Sequence, residues 1–159
     1  MKILAIDPGY ERLGIAILDK DKKEKESFVY SECFKTSSKE SHPDRLGKIQ
    51  KKISEIISEF DPKELAIESL FFNTNQKTAM KVSEARGSII ATAKNAGLEV
   101  FEYKPQEIKV AVTGDGRSDK NSIMKIMPLL IKIPNTVQID DEFDAIACGL
   151  THLAIRKNK

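Results

Sequence analysis

Four carboxylates stand where the sequence predicts that a strand ends or a helix begins. Asp7 and Glu68 each follow directly on a short apolar run. Asp141 and Asp144 lie three residues apart at the start of a mostly apolar segment, so they face one side of a helix. If the two strands are neighbours, all four side chains converge at one edge of a sheet.

Four like charges at one buried site require compensation, because repulsion and desolvation would otherwise raise their pKa values until some were protonated. Oxygen ligands without histidine or cysteine suit Mg²⁺ or Mn²⁺ better than zinc. Two such ions about 4 Å apart would activate a water and stabilise the leaving oxygen of a phosphodiester. The pattern therefore predicts Mg²⁺ as cofactor, two ions per subunit and replaceable by Mn²⁺, and hydrolysis of a phosphodiester.

Other catalytic groups are not favoured by the sequence. Cys33 and Cys148 have no paired ligand spacing and are interpreted as reduced core thiols. His42 and His152 have no base-orienting partner at a recognisable spacing and are interpreted as structural. No serine lies in a nucleophile-elbow pattern, so covalent catalysis is not expected.

Composition narrows the class of protein. The 159 residues suggest one domain spanning 1–159, and 40% hydrophobic with 31% charged residues is typical of a globular protein. Lys and Arg number 26 against 24 Asp and Glu, so any nucleic-acid surface must be local. The apolar stretches are too short for a membrane span or signal peptide, which favours a cytoplasmic location without membrane contact.

The predicted elements alternate along the chain. Hydrophobic patterning predicts strands over 2–7, 13–18, 27–36, 65–67 and 98–103, the first three as an antiparallel meander. Helices are predicted over 41–60, 75–95, 104–114, 118–132 and 140–157, the fourth perturbed by Pro128. The expected fold class is α/β, a mixed sheet of about five strands flanked by helices on both faces.

Several motifs together resemble one known family. They are IDPG at 6–9, AIESLFF at 66–72, EARG at 84–87, YKPQEIK at 103–109 and DEFDAIACGLTH at 141–152. In this order, over nearly the whole chain, they resemble the RuvC family of Holliday-junction resolvases. The resemblance implies a ribonuclease H-like fold and a single nuclease domain.

The same resemblance implies the site residues. The family's catalytic, metal-binding acids fall on Asp7, Glu68, Asp141 and Asp144. Asp140 also lies within helical reach of Asp144, but the Asp-x-x-Asp frame selects Asp141 and leaves Asp140 as the expected N-cap.

Function and partners are implied in the same way. The family pattern implies a homodimer that binds four-way DNA junctions, nicks two strands of like polarity, and works with the branch-migration proteins RuvA and RuvB. Lys109 and Lys120 match family lysines near the scissile phosphate. Phe71 matches an aromatic that wedges into unpaired bases, where stacking contributes roughly 1–3 kcal/mol per base. Phe72 is left as a core or lid residue.

The helix over 75–95 carries two open alternatives. Lys77, Lys81 and Arg86 either extend a phosphate-binding track or form a solvated helix face. A second set, spaced by three or four residues, is either a dimer seam or ordinary packing on the sheet; it comprises Ala79, Val82, Arg86, Ile89 and Ala93.

Two other functions remain open at this stage. DPGYERLG fits the phosphate loop of actin-like ATPases and sugar kinases, although those proteins close a second domain over the nucleotide and this chain is short for that. A junction-binding module without catalysis would be expected to lack one of the acids, and all four are present.

Overall fold

The computed structural model describes residues 1–21, 26–70 and 76–156, without the side chains of 76 and 77. The strands are β1 (Lys2–Asp7), β2 (Arg12–Lys20), β3 (Glu26–Lys35), β4 (Glu64–Glu68) and β5 (Glu99–Tyr103). The helices are α1 (His42–Phe60), α2 (Gln76–Asn95), α3 (Pro105–Thr113), α4 (Lys120–Leu130) and α5 (Asp140–Arg156). No helix in these ranges is long and apolar enough to cross a bilayer.

The strands form one mixed sheet in the order β3-β2-β1-β4-β5. β1, β2 and β3 pair antiparallel, as the meander prediction requires, whereas β4 pairs parallel to both β1 and β5. β1 is therefore central, with β2 on one side and β4 on the other. The strands that end on Asp7 and Glu68, β1 and β4, are thus neighbours in the sheet, as predicted.

Each face of the sheet has its own apolar core. On one face, Leu4, Ile6 and Ile67 pack with buried residues of α1 and α2. On the opposite face, Ile3 and Ala5 pack with α5 and with buried residues of α3 and α4. The prediction of helices on both faces is confirmed, and the alternation of the strands decides which residues meet α5.

α1 shows why the sequence places a helix there. Ser41 accepts a hydrogen bond from the Asp44 N–H, which caps the first turn, and the helix ends where Asp61 adopts a left-handed conformation with φ of 49°. Ile49 and Ile53 are fully buried against the sheet, in agreement with their spacing.

The structure corrects one expectation about a helix and supports one of the two alternatives for another helix. α5 begins at Asp140, and the Ile139 carbonyl accepts from the Glu142 N–H, so Asp140 lies in the helix and is not its N-cap. Of the two alternatives for the set on α2, ordinary packing on the sheet holds for Ile89 and Ala93, which are fully buried in the core between α2 and the sheet.

Candidate active site

Asp7 and Glu68 leave neighbouring parallel strands side by side. Ile6 is in register with Ile67, so the next residue on each strand is an acid at the same sheet edge. Asp7 shares a strand face with Ile3 and Ala5, which pack against α5, and Glu68 shares one with Ala66 of the same core. Strand alternation therefore points both carboxylates toward α5.

α5 supplies the other two acids at its first turns, and a glycine lets it approach. Gly14 of β2 pairs with Asp7 of β1. A Cβ on Gly14 would lie 2.1 Å from the Asp141 carbonyl oxygen and 3.1 Å from the Asp7 Cβ. Any side chain at position 14 would therefore push the start of α5 away from the strand ends.

The carboxylates influence one another strongly. Burial raises the pKa of Asp7 to about 8, and the charges of Glu68, Asp144 and Asp141 contribute in that order. Burial and then Asp144 raise the pKa of Glu68 to about 7. Burial also raises the pKa of Asp144, although Lys120 opposes the shift. These shifts place all four acids in one electrostatic cluster.

Two basic side chains partly neutralise the cluster. Arg12 of β2 forms ion pairs with Asp141 and, at 3.0 Å, with Asp140. Lys120 of α4 lies 2.7 Å from Asp144 and 2.9 Å from Asp140. Within the described ranges, no three His, Cys, Asp or Glu side chains form a ready-made metal site. Asp141 and Asp144 instead direct an oxygen to Arg12 and Lys120, respectively.

The donor set nevertheless fits a hard divalent cation. All candidate ligands are carboxylate oxygens, which Mg²⁺ and Mn²⁺ prefer. Burial and then the neighbouring carboxylates raise the pKa values of Asp7 and Glu68, so a bound cation would stabilise the ionised form of both acids. Asp7, Glu68, Asp141 and Asp144 could hold such ions once Asp141 and Asp144 turn from their basic partners.

A cleft of about 270 Å³ opens beside the acids. Glu68, Lys109, Lys120 and Asp144 contribute to its walls. The charges of Lys120 and Lys109 both act to lower the pKa of Glu68, so both ammonium groups lie close enough to affect it. The structure thus brings the two sequence-predicted lysines and two of the predicted acids to one opening.

The structure describes only some of the predicted DNA-contacting residues. Phe71 and Phe72 lie outside the described residues, as does the side chain of Lys77. Lys81 is exposed, with Nζ 5.3 Å from the centre of the Tyr10 ring.

Arg86 is not part of an open phosphate track. Its Nε donates to the Glu68 carbonyl oxygen at 3.0 Å, and its guanidinium forms an ion pair with Glu102. Only 16% of the Arg86 side chain is exposed. Arg86 therefore holds the backbone at the exit of β4, next to a catalytic candidate.

The interpretation of both cysteines as core thiols is half correct. Cys148 is fully buried. Cys33 is only partly buried, and its Sγ lies 3.7 Å from Asp141 Oδ2. Cys33 therefore belongs to the rim of the candidate site.

Sequence reasoning missed Gly14 and Arg12 at the site, and it gave Asp140 the role of an N-cap. Gly14 was detectable, since a glycine inside an apolar strand often marks a close backbone approach. Arg12 gave no such signal, because its contact with Asp140 joins positions 128 residues apart in the chain.

The comparisons with known proteins agree with this geometry. A family model described as crossover junction endodeoxyribonuclease RuvC matches residues 3–152. The RuvC of Finegoldia magna is 42% identical over 153 residues, which cover 96% of this chain and 93% of that protein.

Solved structures give the same result. Thermus thermophilus RuvC in complex with a Holliday junction substrate has a TM-score of 0.91 at 29% identity, covering 99% of this chain and 96% of that one. The yeast mitochondrial Holliday junction resolvase, 12% identical, has a TM-score of 0.70 over 98% of this chain and 80% of its own, and shows the shared fold. The acids at the strand ends, the sheet and these matches together place this chain in the RuvC family of crossover junction endodeoxyribonucleases, which has a ribonuclease H-like fold.

Proposed function

We propose that this protein is a metal-dependent endonuclease that resolves four-way DNA junctions by paired, symmetric nicks during recombination and repair. The observation that carries the proposal is the convergence of Asp7, Glu68, Asp141 and Asp144 at one sheet edge, where the pKa of Asp7 is raised to about 8. Family membership supports the substrate, since a relative was solved with a Holliday junction. It also argues against the nucleotide-binding alternative.

The proposed cofactor is Mg²⁺, two ions per subunit, with Mn²⁺ as a substitute. When bound, such ions supply an activated water and stabilise charge on the leaving oxygen. Asp7 and Glu68 hold this centre from the sheet, while Asp141 and Asp144 hold it from α5. Lys109 and Lys120, at the neighbouring cleft, face the phosphate and offset its charge.

The proposed DNA contacts extend from the strand exits. Phe71 follows Glu68 by three residues in the sequence, and its proposed role is to stack on unpaired bases of the junction. Lys77 and Lys81 lie on the first turns of α2 and contact phosphates. Arg86 is not among the proposed DNA contacts, because its guanidinium donates to the Glu68 carbonyl and pairs with Glu102.

The proposed assembly is a homodimer of single nuclease domains, acting with RuvA and RuvB in the cytoplasm, where chromosomal DNA lies. One set of acids cuts one strand at a time, and a two-fold symmetric junction is matched by two subunits about a two-fold axis. The buried side of α2 is occupied by the sheet core. A partner can therefore pack only on its exposed side, which includes Gly87.

A nick-mapping assay tests the proposal. The protein is incubated with a synthetic four-way junction labelled on each strand in turn, in Mg²⁺, Mn²⁺, Ca²⁺ or EDTA. Paired nicks in two opposed strands are expected with Mg²⁺ and Mn²⁺, whereas Ca²⁺, with longer and less regular coordination, should support binding with little cutting.

A linear duplex of the same sequence is the control substrate. Binding without any nick in Mg²⁺ or Mn²⁺ would identify a passive junction-binding module. Cutting in EDTA, or equal cutting of the linear duplex, would contradict a metal-dependent junction resolvase.

A further inference from the structure

Charges of opposite sign alternate along the rim of the candidate active site. Arg12 lies between Asp141 and Asp140, and Lys120 lies between Asp140 and Asp144. Asp140 presents one oxygen to each cation, Oδ1 to Arg12 and Oδ2 to Lys120. The order of the chain of contacts is thus Asp141, Arg12, Asp140, Lys120, Asp144.

The two acids that Arg12 bridges differ in position. About 19% of the Asp141 side chain is exposed, against 48% for Asp140. Asp141 is a candidate metal ligand and contributes to the raised pKa of Asp7, so it belongs to the interior of the cluster. Asp140 lies at its outer edge and is not one of the four candidate ligands.

Arg12 is suited to hold both acids because a guanidinium presents several N–H donors in a planar fork. One nitrogen, Nη2, reaches both Asp140 Oδ1 and Asp141 Oδ2. A small rotation of the fork can release one carboxylate and keep the other. The half-exposed guanidinium, 48% accessible, has room for this rotation.

A divalent cation and Arg12 compete for Asp141. The Asp141 oxygen that faces Arg12 is not free to coordinate an ion, and a guanidinium left beside a bound ion would be repelled. Asp140 gives Arg12 an anchor outside the ligand set.

From this geometry we infer that Arg12 is a positioning residue of the metal site. It holds Asp141 while no divalent ion is bound, and it moves wholly onto Asp140 when Asp141 turns to the ion. Asp140 thereby favours metal binding without ligating the metal. The inference rests on the proposed metal-dependent function.

Metal titration of DNA-free protein tests the inference. Calorimetric titration with Mn²⁺ should give an affinity roughly two- to fivefold tighter for Arg12→Gln than for wild type, because an exposed ion pair that competes for the ligand contributes only modestly. Lys35→Gln is the matched control. Lys35 is exposed and lies opposite Arg12 on β3, so Lys35→Gln removes the same charge. Among the described residues, Asp141 forms its ion pair with Arg12 and not with Lys35.

The role of Asp140 is tested by a double-mutant cycle. Asp140→Asn should weaken Mn²⁺ binding in the wild-type background, since Arg12 then stays on Asp141. In the Arg12→Gln background the same change should have a clearly smaller effect, because no guanidinium needs an anchor. Purely additive charge effects would give equal changes in the two backgrounds.

Guanidinium ¹⁵N NMR supplies a readout that does not depend on activity. The Arg12 signal should shift when the protein is titrated with Mg²⁺, which is used here in place of Mn²⁺ because it is diamagnetic. The unfolding midpoints in EDTA should be similar for all variants.

Equal tightening by Arg12→Gln and Lys35→Gln, or an additive cycle, overturns the positioning role while leaving the proposed nuclease function intact if wild type still cuts junctions. Wild-type protein that binds no Mn²⁺ and makes no nicks overturns both.

Discussion

At the scale of single residues, the chemistry is carried by acids that are separate from the groups proposed to hold DNA. Asp7 ends the central strand beneath α5, whereas the proposed phosphate contacts lie on α2 and around the cleft. This separation means that cutting and binding can be changed independently.

The first prediction uses this separation. Asp7→Asn and Glu68→Gln should each reduce junction nicking by at least about a hundredfold, the scale at which loss of one charge-stabilising group is felt, because each removes a metal-ligand charge. Junction affinity, measured by gel shift in Ca²⁺, should stay near the wild-type value. Near wild-type nicking by either variant would show that the four-acid site is wrong.

The second prediction concerns stability and pH. Since the folded-state pKa of Asp7 is raised from 3.8 to about 8, folding favours the protonated acid, and this contribution is lost as pH rises from about 4 through 8. Without metal, Asp7→Asn should therefore melt at a higher temperature than wild type near pH 8, with little difference near pH 4.

Thermal unfolding in EDTA at the two pH values measures this effect. Asp19→Asn is the control, because Asp19 pairs with the N-terminal amine and lies far from the four acids. A wild-type protein that gains stability over Asp7→Asn as pH rises would contradict the assigned environment of Asp7.

At the scale of elements, α5 is fixed to the sheet by a buried polar network as well as by apolar packing. His152 is fully buried, with Nε2 2.6 Å from Glu64 of β4 and Nδ1 2.8 Å from the Tyr103 hydroxyl of β5. Burial lowers the pKa of His152, which favours the neutral ring. Since the Glu64 carboxylate accepts, the neutral ring donates from Nε2 and accepts from the Tyr103 hydroxyl at Nδ1. The network ties the helix that bears Asp144 to the strand that bears Glu68.

The third prediction addresses this network. His152→Leu should destabilise the protein by about 3–5 kcal/mol, because it leaves the buried Glu64 carboxylate with one partner fewer. The double variant His152→Leu/Glu64→Leu should recover part of the loss, since both buried polar groups are then removed. Urea unfolding measures both. A double variant less stable than the single one would mean that Glu64 is stable without His152.

α2 contributes to the site through Arg86. Arg86 donates to the carbonyl of Glu68, so it positions the acid at the end of β4. Lys81, on the same helix, is exposed and remains a proposed DNA contact.

The fourth prediction separates these two roles. Arg86→Gln should lower the nicking rate about tenfold or more with little change in junction affinity, because the Glu68 backbone loses a donor while the DNA surface is unchanged. Lys81→Gln should weaken junction binding, and the slope of log K against log salt concentration should fall by about one, as expected for the loss of one phosphate contact. Nicking of bound junction should be retained. If Arg86→Gln weakened junction binding without slowing the nicking of bound junction, Arg86 would be a phosphate contact.

At the scale of the whole molecule, the stoichiometry of cutting depends on assembly. The described residues bring together one set of four acids per chain, whereas separating a junction into two duplexes takes a nick in each of two strands. The proposed homodimer supplies the second set.

The fifth prediction tests the dimer through hybrids. Wild-type protein mixed with Asp7→Asn protein, under conditions that allow subunit exchange, should form heterodimers that nick only one strand of a junction locked against branch migration. Wild type alone should nick both strands within one bound lifetime, and sedimentation should give twice the monomer mass. Paired nicks in a single binding event by a strictly monomeric protein would contradict the model.

Local patterns in the sequence predicted the order of the elements and the four candidate acids. The apolar run of β1 predicted its bounds of 2–7 correctly. Glu68 directly follows the apolar run of β4, and Asp144 lies near the start of α5. Such signals depend on neighbours along the chain, and a period of two or 3.6 residues is enough to read them.

Which side chains meet across the molecule depends on the tertiary structure. Gly14 had to lie against the Asp141 carbonyl, Arg12 had to reach Asp140, and Arg86 had to turn inward to Glu68. The buried side of α2 likewise went to the sheet and not to a partner. These contacts join residues far apart in the chain, and they depend on strand register and helix placement, which hydrophobic periodicity alone does not specify.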